Sequence, residues 1–492
     1  MKRGEDAGSV KRVARRPLRF CCHFQKGGSQ MEPFGRTKKT QCEEWVKRDN
    51  AVIAPCQHIP FYDLVVDEAK GDILVDLDNN HYVDFLSSAS SLNIGSRRPE
   101  IVQAITEQMN KCIQFSPVYS YNVPMIEYAE ELVKLFPQKE PGETIMLSYS
   151  NCGSEANDAA IKFCRGATKR SKIIAFTNSY HGNTYGSSTL SACTEKMHEG
   201  IGPLLPDVYH FPFYGIDVPD DECERDCLRE IETAFRTYLP ANEVAAVIIE
   251  PMQGDGGMLP AHHIFMRKLS SLCRENGILF IAEEVQLAFW RTGKCFSIEH
   301  YLEDGAYPDG IIMGKSVGGG LVLGAFMARE SIIRSLESPA HIFTLAGNHL
   351  SCAAGLASLR YMQGDGYQEA VERNSAEMVR LTQELTSRHA DVISFARGLG
   401  VSYGIGIVNP VSREPDPDMA FKIVYRAYEK GLILMTLAGN VLRIQPPVNI
   451  SPDLLRGGFS ILSEAISEVA GGQVSDSVLS YRRGRNPYIS GV

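Results

Sequence analysis

Short apolar runs rich in β-branched residues alternate with helix-like stretches from about residue 100 to residue 330. The runs are TIMLSYS, KIIAFTNS, VAAVIIEP, ILFIAEEV, GIIMGK and GAFMA. This alternation is typical of a mostly parallel sheet wrapped by helices, because parallel strands need long crossover connections. The sequence therefore predicts an α/β fold, in which ligands collect at the carboxyl ends of the strands.

The segments on either side of this region predict a second, smaller domain. The sequence ILVDLDNNHYVDFL (73–86) predicts a hairpin with a two-residue Asn turn, and residues 365–492 contain amphipathic helices followed by the strand-like GLILMTLAGNVLRIQPP. We interpret residues 31–95 and 351–492 as the two parts of a small α+β domain built from both chain ends. Residues 96–350 then form the large domain, and 492 residues suffice for both.

Residues 1–30 differ in composition from the rest of the chain. They carry eight Lys or Arg against two acidic residues, without an apolar stretch long enough for a secretory signal. We interpret them as a disordered leader and exclude them from the fold prediction. An organelle transit peptide, or a true start at Met31, are the alternatives.

Charge and cysteine content restrict the partners and the location. The net charge of −9 without an extended basic field argues against nucleic acid, and runs such as VAAVII are far shorter than the roughly 20 residues that cross a bilayer. The thirteen cysteines are scattered without CxxC spacing, which fits free thiols in a reducing cytoplasm. Cys223 and Cys227 lack further ligand-type partners, so no metal site is predicted.

Lys315 is the most informative candidate for chemistry. It lies in PDGIIMGKSVGGG, just after an apolar strand and just before three glycines. An amine at a strand end in a glycine-lined pocket is suited to forming a Schiff base with a carbonyl, because desolvation lowers its pKa. An exposed loop lysine is the alternative interpretation.

Two further strand ends suggest a site for a flat, phosphorylated ligand. In SYSNCGSEAND, Gly153 and Ser154 would present backbone N–H groups at a helix N-terminus, where the helix dipole favours a phosphate. In SYHGNTYG, Tyr180 could stack on a heteroaromatic ring. Taken alone, the first segment could be an ordinary capped helix start, and Tyr180 could be an ordinary tyrosine at a strand end.

The segment IAEEVQ places carboxylates at the end of a buried strand. Strand alternation directs Glu283 and Val285 to one face and Glu284 to the other. Glu283 could keep a pyridine nitrogen protonated, and Val285 could pack on the ring face opposite Tyr180. A structural salt bridge from this pair of acids to Arg291 is the competing explanation.

Three more residues could bind substrate or phosphate. Asp255 lies between glycines in IIEPMQGDGG and could approach a substrate closely, although such a segment is often only a turn. Thr344 in HIFTLAGN could hold a phosphate with its hydroxyl and amide. Arg443 in LRIQPP offers a guanidinium fork for a carboxylate.

Taken together, these segments resemble the class III, fold type I pyridoxal-phosphate enzymes, the group of ω-aminotransferases and their racemase relatives. The resemblance covers roughly residues 55–470. It implies a mostly parallel seven-stranded sheet in the large domain and bound pyridoxal 5'-phosphate. By the family's pattern, Lys315 is the Schiff-base lysine, and Gly153 and Ser154 bind the phosphate. The same pattern places Tyr180, Glu283 and Val285 at the ring and Gln286 at the ring hydroxyl.

The resemblance also implies a partner. In the family's pattern, Thr344 binds the phosphate of the cofactor held by the partner subunit. The minimal active unit would therefore be a homodimer, and two dimers could pair into a tetramer.

Within the family, the motifs are most similar to those of the amino-acid racemases and epimerases. In these relatives an Asp at the position of Asp255 is the proposed second acid/base, facing Lys315 across the α-carbon, where typical aminotransferases carry Glu. The resemblance implies epimerisation of a non-polar amino acid, first of L-isoleucine to D-allo-isoleucine. The alternatives are an ω-aminotransferase of the 4-aminobutyrate type, in which Asp255 only orients Arg443, and a non-catalytic binder of the cofactor.

The sequence departs from the family's pattern at several positions. Glu283 stands where the family has Asp, and in QLAFWRTGK the side chains of Leu287 and Trp290 add bulk that we expect near the cofactor floor or the entrance. Asn183 and His349 replace a common Arg and Pro. These changes leave an altered or lost activity as an alternative to that of a typical member.

Overall fold

A computed structural model describes residues 34–140 and 142–480 of the chain. The predicted leader, residues 1–30, lies outside the described residues. The N-terminal part contains three strands and four helices: α1 (Thr40–Asp49), β1 (Val66–Lys70), β2 (Ile73–Asp76), β3 (His81–Asp84), α2 (Ser87–Ser90), α3 (Pro99–Lys111) and α4 (Val123–Val133).

The hairpin predicted at residues 73–86 is confirmed, since β2 and β3 pair antiparallel. Its loop is longer than the predicted two-residue turn, because the four residues Leu77–Asn80 separate the strands. The carboxylate of Asp76 accepts hydrogen bonds from the backbone N–H groups of Asp78 (3.0 Å) and Asn80 (2.9 Å). This side-chain turn stabilises the wider loop, so the predicted loop length was wrong.

The central part alternates strands and helices along the chain. Its elements are β4 (Ile145–Ser150), α5 (Gly153–Thr168), β5 (Lys172–Phe176), α6 (Tyr185–Leu190), β6 (Val208–Phe211), α7 (Asp220–Asp226), α8 (Arg229–Thr237), β7 (Val244–Ile249), β8 (Met252–Gln253), β9 (Leu259–Pro260), α9 (His263–Asn276), β10 (Leu279–Glu283), β11 (Gly310–Met313), β12 (Gly324–Arg329), α10 (Glu330–Ile333) and α11 (His349–Met362). Short 3₁₀ turns include Ser297–Tyr301 and Lys315–Gly318.

Seven of these strands form one sheet in the order β4-β12-β11-β10-β7-β5-β6. Only β12 runs antiparallel to its neighbours, β11 and β4. All six residues of β7, VAAVII, are buried, as expected for a strand covered on both faces. The predicted mostly parallel, seven-stranded α/β fold is confirmed. The edge strand β6 (VYHF) was not among the predicted runs, because it is short and mixes polar with apolar residues.

The C-terminal part contributes three helices and five strands. They are α12 (Asp365–Arg388), β13 (Ile393–Leu399), β14 (Ser402–Ile407), α13 (Pro417–Glu429), β15 (Leu432–Ile433), β16 (Met435–Leu437), β17 (Val441–Ile444) and α14 (Pro452–Ala470). Four of the strands form a second sheet in the order β13-β14-β17-β16, while β15 leaves it.

The two ends of the chain meet in a third sheet, β1-β2-β3-β15. Leu432 of β15 lies opposite Val83 of β3 in a parallel pair, so the N-terminal hairpin is completed by a C-terminal strand. The prediction that the hairpin packs with the C-terminal segment is therefore confirmed. The domain boundaries near residues 95 and 350 stay a prediction.

Six strands of the large sheet end at the same edge: β4, β5, β6, β7, β10 and β11. The pairs β5–β7, β7–β10 and β10–β11 are parallel, and β12 aligns β4 with them by lying antiparallel between β4 and β11. This edge is where ligands bind in open α/β sheets. Over the described ranges, no helix combines the length and apolar character needed to cross a membrane.

Candidate active site

A cavity of about 350 Å³ opens at this carboxyl edge of the sheet. Seven of the ten predicted site residues line it: Gly153, Ser154, Tyr180, Glu283, Val285, Gln286 and Lys315. They come from loops after four different strands, so only the fold brings them together. Asp255, Arg443 and Thr344 do not line this cavity.

Lys315 lies two residues beyond β11 and begins a short 3₁₀ turn. Its amine donates a hydrogen bond to Oε1 of Gln286 at 2.7 Å. Burial lowers the pKa of Lys315 to about 8, and the nearby carboxylates of Asp255 and Glu283 only partly oppose that shift. Roughly a fifth of this amine is therefore neutral near physiological pH. The neutral form is the one that acts as a nucleophile or base.

The loop after β4 leads directly into α5, which begins at Gly153. Cys152 at the N-cap makes no side-chain hydrogen bond, so no side chain caps the first-turn N–H groups from that position. A Cβ atom on Gly314 would lie 2.9 Å from Cα of Gly153, which shows how closely the strand before Lys315 packs on this loop. A helix N-terminus in this setting could bind a phosphate.

Glu283 is the last residue of β10 and is buried. Its carboxylate accepts hydrogen bonds from Nδ2 of Asn157 and from the backbone N–H of Val285, both at 3.3 Å. Nδ1 of His181 lies 3.8 Å from the same carboxylate. The longer side chain is thus held between α5 and the loop after β5, and it could face a ring nitrogen.

Glu250 is a residue of the site that the motif analysis did not assign. It follows β7, is buried, and accepts hydrogen bonds from the backbone N–H groups of Tyr180 (3.0 Å) and Gly254 (2.9 Å). Burial and the neighbouring Glu283 raise the pKa of Glu250 well above its usual range. It ties the loop of Tyr180 to the loop of Asp255. An acid directly after a wholly apolar strand is the sequence signal that could have revealed it.

Asn183 joins two of the predicted residues. Its Nδ2 group donates to the hydroxyl of Tyr180 at 3.1 Å, and its backbone N–H donates to Oγ of Ser154 at 3.2 Å. Burial and the charge of Asp255 raise the pKa of Tyr180, so its hydroxyl stays protonated. The departure at Asn183 therefore supplies a contact between the ring platform and the helix start.

Asp255 and Arg443 lie together next to the cavity. Oδ1 of Asp255 is 3.8 Å from Nη1 of Arg443, and both charges affect the pKa of Lys315. Arg443 is buried, which lowers its pKa to about 10, whereas the charge of Asp255 favours its protonated form. The pair thus places an acid and a guanidinium near the lysine from a second direction.

Thr344 lies away from the cavity of its own chain. Its side chain is exposed, and its carbonyl accepts a hydrogen bond of 3.4 Å from Nε2 of Gln114. The exposed neighbours Ile342 and Leu345 flank it. The described part of this chain therefore gives Thr344 no role in its own cavity.

Of three departures from the family's pattern, Leu287 and His349 are buried and Trp290 is partly buried against the core. Leu287 packs with Met252, Met258 and Leu437, and Trp290 stacks edge-to-face on Tyr367 with ring centroids 6.2 Å apart. The left-handed backbone of Trp290 (φ 65°) accompanies this placement. Neither side chain lines the cavity, and bulk near the cofactor floor or the entrance stays a prediction. His349 is buried in the first turn of α11.

The competing explanation for the acids of β10, a salt bridge to Arg291, is excluded by the geometry. Arg291 donates to Oδ1 of Asn93 at 2.8 and 2.9 Å and to the carbonyl of Pro446 at 2.7 Å. Glu284 instead accepts from the hydroxyl of Ser297 (2.8 Å) and points away from the cavity face, as strand alternation predicted.

The residues fit pyridoxal phosphate. Nε2 of Gln286 and both ring nitrogens of His181 are buried without a hydrogen-bond partner. Buried polar groups are normally hydrogen-bonded, so these atoms at the cavity are suited to binding a polar ligand. A Cβ on Gly153 would lie 2.7 Å from Val285, so the glycine leaves room for close approach at the helix start. A carboxylate, an amine and a helix N-terminus thus surround a space suited to a flat, phosphorylated heterocycle.

Comparison with known proteins agrees with this fit. Residues 53–466 match the family model described as aminotransferase class-III. The chain is 38% identical to the isoleucine 2-epimerase of Lentilactobacillus buchneri, over 89% of this chain and 97% of that one. It is 33% identical to the leucine/methionine racemase of Thermococcus litoralis, over 90% and 99% of the two chains. Aminotransferases are also among its relatives.

A solved structure supports the same conclusion. The crystal structure of a Bacillus anthracis aminotransferase superimposes with a TM-score of 0.76 at 26% identity, over 88% of this chain and all of that one. The predicted cofactor, pyridoxal phosphate, is the one this family uses, and the predicted enzyme class is confirmed. The chain belongs to the class III aminotransferase family of pyridoxal-phosphate enzymes.

Proposed function

We propose that this enzyme epimerises non-polar amino acids at the α-carbon, with L-isoleucine and D-allo-isoleucine as the first pair to test. The observation that carries the proposal is the placement of two acid/base groups near one another, the amine of Lys315 and the carboxylate of Asp255. Inversion requires a proton to leave one face of the α-carbon and another to arrive on the opposite face. The similarity to an isoleucine 2-epimerase supports the choice of substrate.

The proposed roles follow from the geometry. Bound pyridoxal phosphate supplies an electron-withdrawing ring that makes the proton on the substrate α-carbon acidic. Lys315, neutral above about pH 8, removes or returns that proton on one face, and Asp255 does the same on the other. One C–H bond breaks and one forms, with no net oxidation. Glu283 would hold a proton at the ring nitrogen.

Further residues of the site have proposed roles in binding the cofactor and the substrate. The N-terminus of α5, with Gly153 and Ser154, would bind the phosphate. The unpartnered Nε2 group of Gln286 would donate to the ring hydroxyl. Tyr180 and Val285, which both line the cavity, would hold the ring. Arg443 binds the substrate carboxylate from the side of Asp255.

The decisive experiment is an incubation of the cofactor-loaded enzyme with L-isoleucine in D₂O without any keto acid. Chiral chromatography with mass detection should show D-allo-isoleucine carrying one deuterium and no keto acid. A product pool that remains entirely L-isoleucine, even after the cofactor has been shown to be bound, would contradict the proposal.

An aminotransferase of the 4-aminobutyrate type is the second candidate. The ion pair between Asp255 and Arg443 favours it, because there the carboxylate would orient the guanidinium instead of moving a proton. Aminotransferases among the relatives also support it. Formation of glutamate from 2-oxoglutarate, only when an amine donor is added, would establish this reaction in the same assay.

We also propose that the enzyme works as a homodimer in the cytoplasm. Large apolar side chains are exposed on the segment before and at the start of α4, including Phe115 (61%), Tyr121 (96%) and Val123 (65%), and Val322 at the cavity rim is 74% exposed. Burial of such a patch against a second copy is strongly favourable. The eleven cysteines of the described residues are free thiols, as expected in a reducing compartment.

The proposed partner role of Thr344 can be tested by mixing two defective variants. In a mixed dimer of Lys315→Ala and Thr344→Val, one cavity would combine an intact Lys315 with an intact Thr344 from its neighbour. Covalent cofactor attachment, read by mass after borohydride reduction, should recover at about one site per mixed dimer. Sedimentation velocity supplies the control for dimer formation. No recovery in verified mixed dimers would argue against the shared site.

A further inference from the structure

The turn Ser87–Ser90 has an unusual backbone. Its four residues all have positive φ angles: 49° at Ser87, 48° at Ser88, 55° at Ala89 and 67° at Ser90. None of them is glycine, so each side chain is strained in this left-handed conformation. Strain of this kind persists only where the surroundings impose it, and it concentrates at functional sites.

Hydrogen bonds to neighbouring residues hold the turn Ser87–Ser90 in this strained conformation. Oδ1 of the buried Asp84 accepts hydrogen bonds from the backbone N–H groups of Leu86 and Ser87, both at 2.8 Å. The hydroxyl of Ser87 donates to the backbone carbonyl of Gln445 at 2.7 Å. The turn is therefore attached at its start to β3 and along its length to the segment that follows β17.

The turn presents one side chain to Arg443. Ser90 is fully buried, and its hydroxyl donates to Oε1 of Gln445 at 2.7 Å while accepting from Nη2 of Arg443 at 3.2 Å. Nε of Arg443 also donates to Oε1 of Gln445. These three side chains form a closed ring of hydrogen bonds, and Gln445 is held in turn by the hydroxyl of Ser402 at 3.1 Å.

This ring occupies one whole edge of the guanidinium. The Nε and Nη2 groups, which form the lateral fork that binds carboxylates in a bidentate manner, are both used inside the protein. Only the Nη1 end remains directed to Asp255 and to the sulfur of Met435, each at 3.8 Å. Rotation of Arg443 away from the ring would break its hydrogen bonds to the buried oxygens of Ser90 and Gln445, which is unfavourable.

We propose that Ser90 is a specificity-determining residue that, with Gln445, locks Arg443 and thereby selects substrates with a single carboxylate. Arg443 could bind the second acid group of a dicarboxylate together with the first only if the guanidinium turned to offer its lateral fork, and the lock opposes that rotation. A monocarboxylic amino acid with an apolar side chain needs no such rotation. This inference rests on the proposed function, because it takes Arg443 as the group that meets the substrate carboxylate.

The test compares two unreactive acids of equal length on the cofactor-loaded enzyme. Dissociation constants of pentanoate and glutarate are measured by calorimetry for the wild type, Ser90→Ala and Ser88→Ala. Ser88 is exposed and lies in the same strained turn without a contact to Arg443, so it is the matched control. We expect Ser90→Ala to shift the ratio of the two constants about tenfold in favour of glutarate, and Ser88→Ala to leave it unchanged.

The ratio of the two dissociation constants distinguishes a change in selectivity from general damage to the site. A damaged site would bind both acids more weakly by a similar factor. A ratio in Ser90→Ala within twofold of the wild-type value would overturn the proposal. The acids do not react, so the result is independent of the isoleucine assay. If Ser90→Ala shifts the ratio but the wild-type enzyme does not invert isoleucine, the proposed role of Ser90 would stand. The proposed epimerase function would be contradicted.

Glycine variants separate the hydroxyl from the strain. Ser88→Gly should raise the melting temperature by about 1–2 °C, because glycine accepts a positive φ. Ser90→Gly should give no such gain, because it also removes a buried hydroxyl that is hydrogen-bonded to Gln445 and Arg443. Only Ser90→Gly should shift the acid ratio toward glutarate. An equal shift in Ser88→Gly would show that the strained backbone, and not the hydroxyl of Ser90, holds Arg443, and would overturn the assignment.

Discussion

The amine of Lys315 is subject to two opposing influences. Burial favours its neutral form, whereas the carboxylates of Asp255 and Glu283 favour the protonated form, and burial is the larger effect. The outcome, a pKa of about 8, depends on three loops that are distant in sequence. The motif around Lys315 indicated the chemistry, but only the folded arrangement sets the pH at which the amine becomes reactive.

The first prediction concerns the pH dependence of cofactor attachment. Because only the neutral amine attacks, the rate at which apoenzyme takes up pyridoxal phosphate should rise about tenfold per pH unit below pH 8 and level off above it. Stopped-flow absorbance between pH 6.5 and 9.5 measures this rate. Lys315→Ala should show no covalent attachment after borohydride reduction. A profile that still rises steeply above pH 9 would contradict the lowered pKa.

The second prediction separates the two proposed acid/base groups. Asp255→Asn keeps the shape of the side chain but cannot move a proton, so inversion should fall by at least about 100-fold. Exchange of the α-proton of one enantiomer with D₂O should continue through Lys315. Chiral mass analysis reads both rates, and Asp453→Asn, with 92% of its side chain exposed, is the control. Undiminished inversion in Asp255→Asn would make Asp255 a structural residue.

At the scale of elements, the approach of β11 to α5 determines the shape of the cavity. A Cβ on Gly314 would lie 2.9 Å from Cα of Gly153 and 3.0 Å from Cγ1 of Val285. Both are separations that real Cβ atoms avoid, so the strand end and the helix start can meet only because Gly314 has no side chain. This contact places Lys315 beside the proposed phosphate site.

Gly314→Ala should therefore weaken cofactor binding about tenfold or more, because the strand end must move away from α5. Titration of apoenzyme with pyridoxal phosphate measures the affinity. Gly457→Ala is a matched control, since a Cβ there meets no atom within 4 Å on the exposed side of α14. That control should be neutral or stabilising by about 0.5–1 kcal/mol. Equal affinities in the two variants would refute the close-packing argument.

The elements also show where sequence patterns are insufficient. The runs that became β7 and β11 were recognised because a strand covered on both faces is continuously apolar. The edge strand β6 was missed, since it is short and half-buried. The hairpin loop was predicted too short, because the side chain of Asp76 stabilises a wider turn. Polar side-chain contacts of this kind leave little trace in hydrophobic periodicity.

At the scale of the whole molecule, Arg291 connects three distant parts of the chain. It is completely buried, and its guanidinium donates to Asn93 in the N-terminal part and to the carbonyl of Pro446 near the C-terminus. Burial lowers its pKa to about 10, so it stays charged at neutral pH. These hydrogen bonds link the segment after β10 to both ends of the chain.

Arg291→Met should destabilise the protein by about 2–4 kcal/mol, because the oxygens of Asn93 and Pro446 lose their donors while remaining buried. Urea denaturation of the apoenzyme, followed by circular dichroism, measures the change. Arg229→Met is the control: that side chain is 76% exposed in an ion pair with Asp226, and its loss should change stability by less than about 0.5 kcal/mol. Equal midpoints for both variants would show that Arg291 is dispensable.

The sequence by itself determined the α/β fold, the family, the cofactor and most of the side chains around the cavity. It could do so because buried strands, glycines at close approaches and chemically reactive groups are local features that remain visible in the chain. Only the tertiary structure revealed Glu250 behind Tyr180, Asn157 and His181 beside Glu283, and Ser90 against Arg443. Each of these contacts joins residues distant in sequence, through a hydrogen bond or a close approach of polar groups. Their geometry depends on how whole elements pack, which no local pattern encodes.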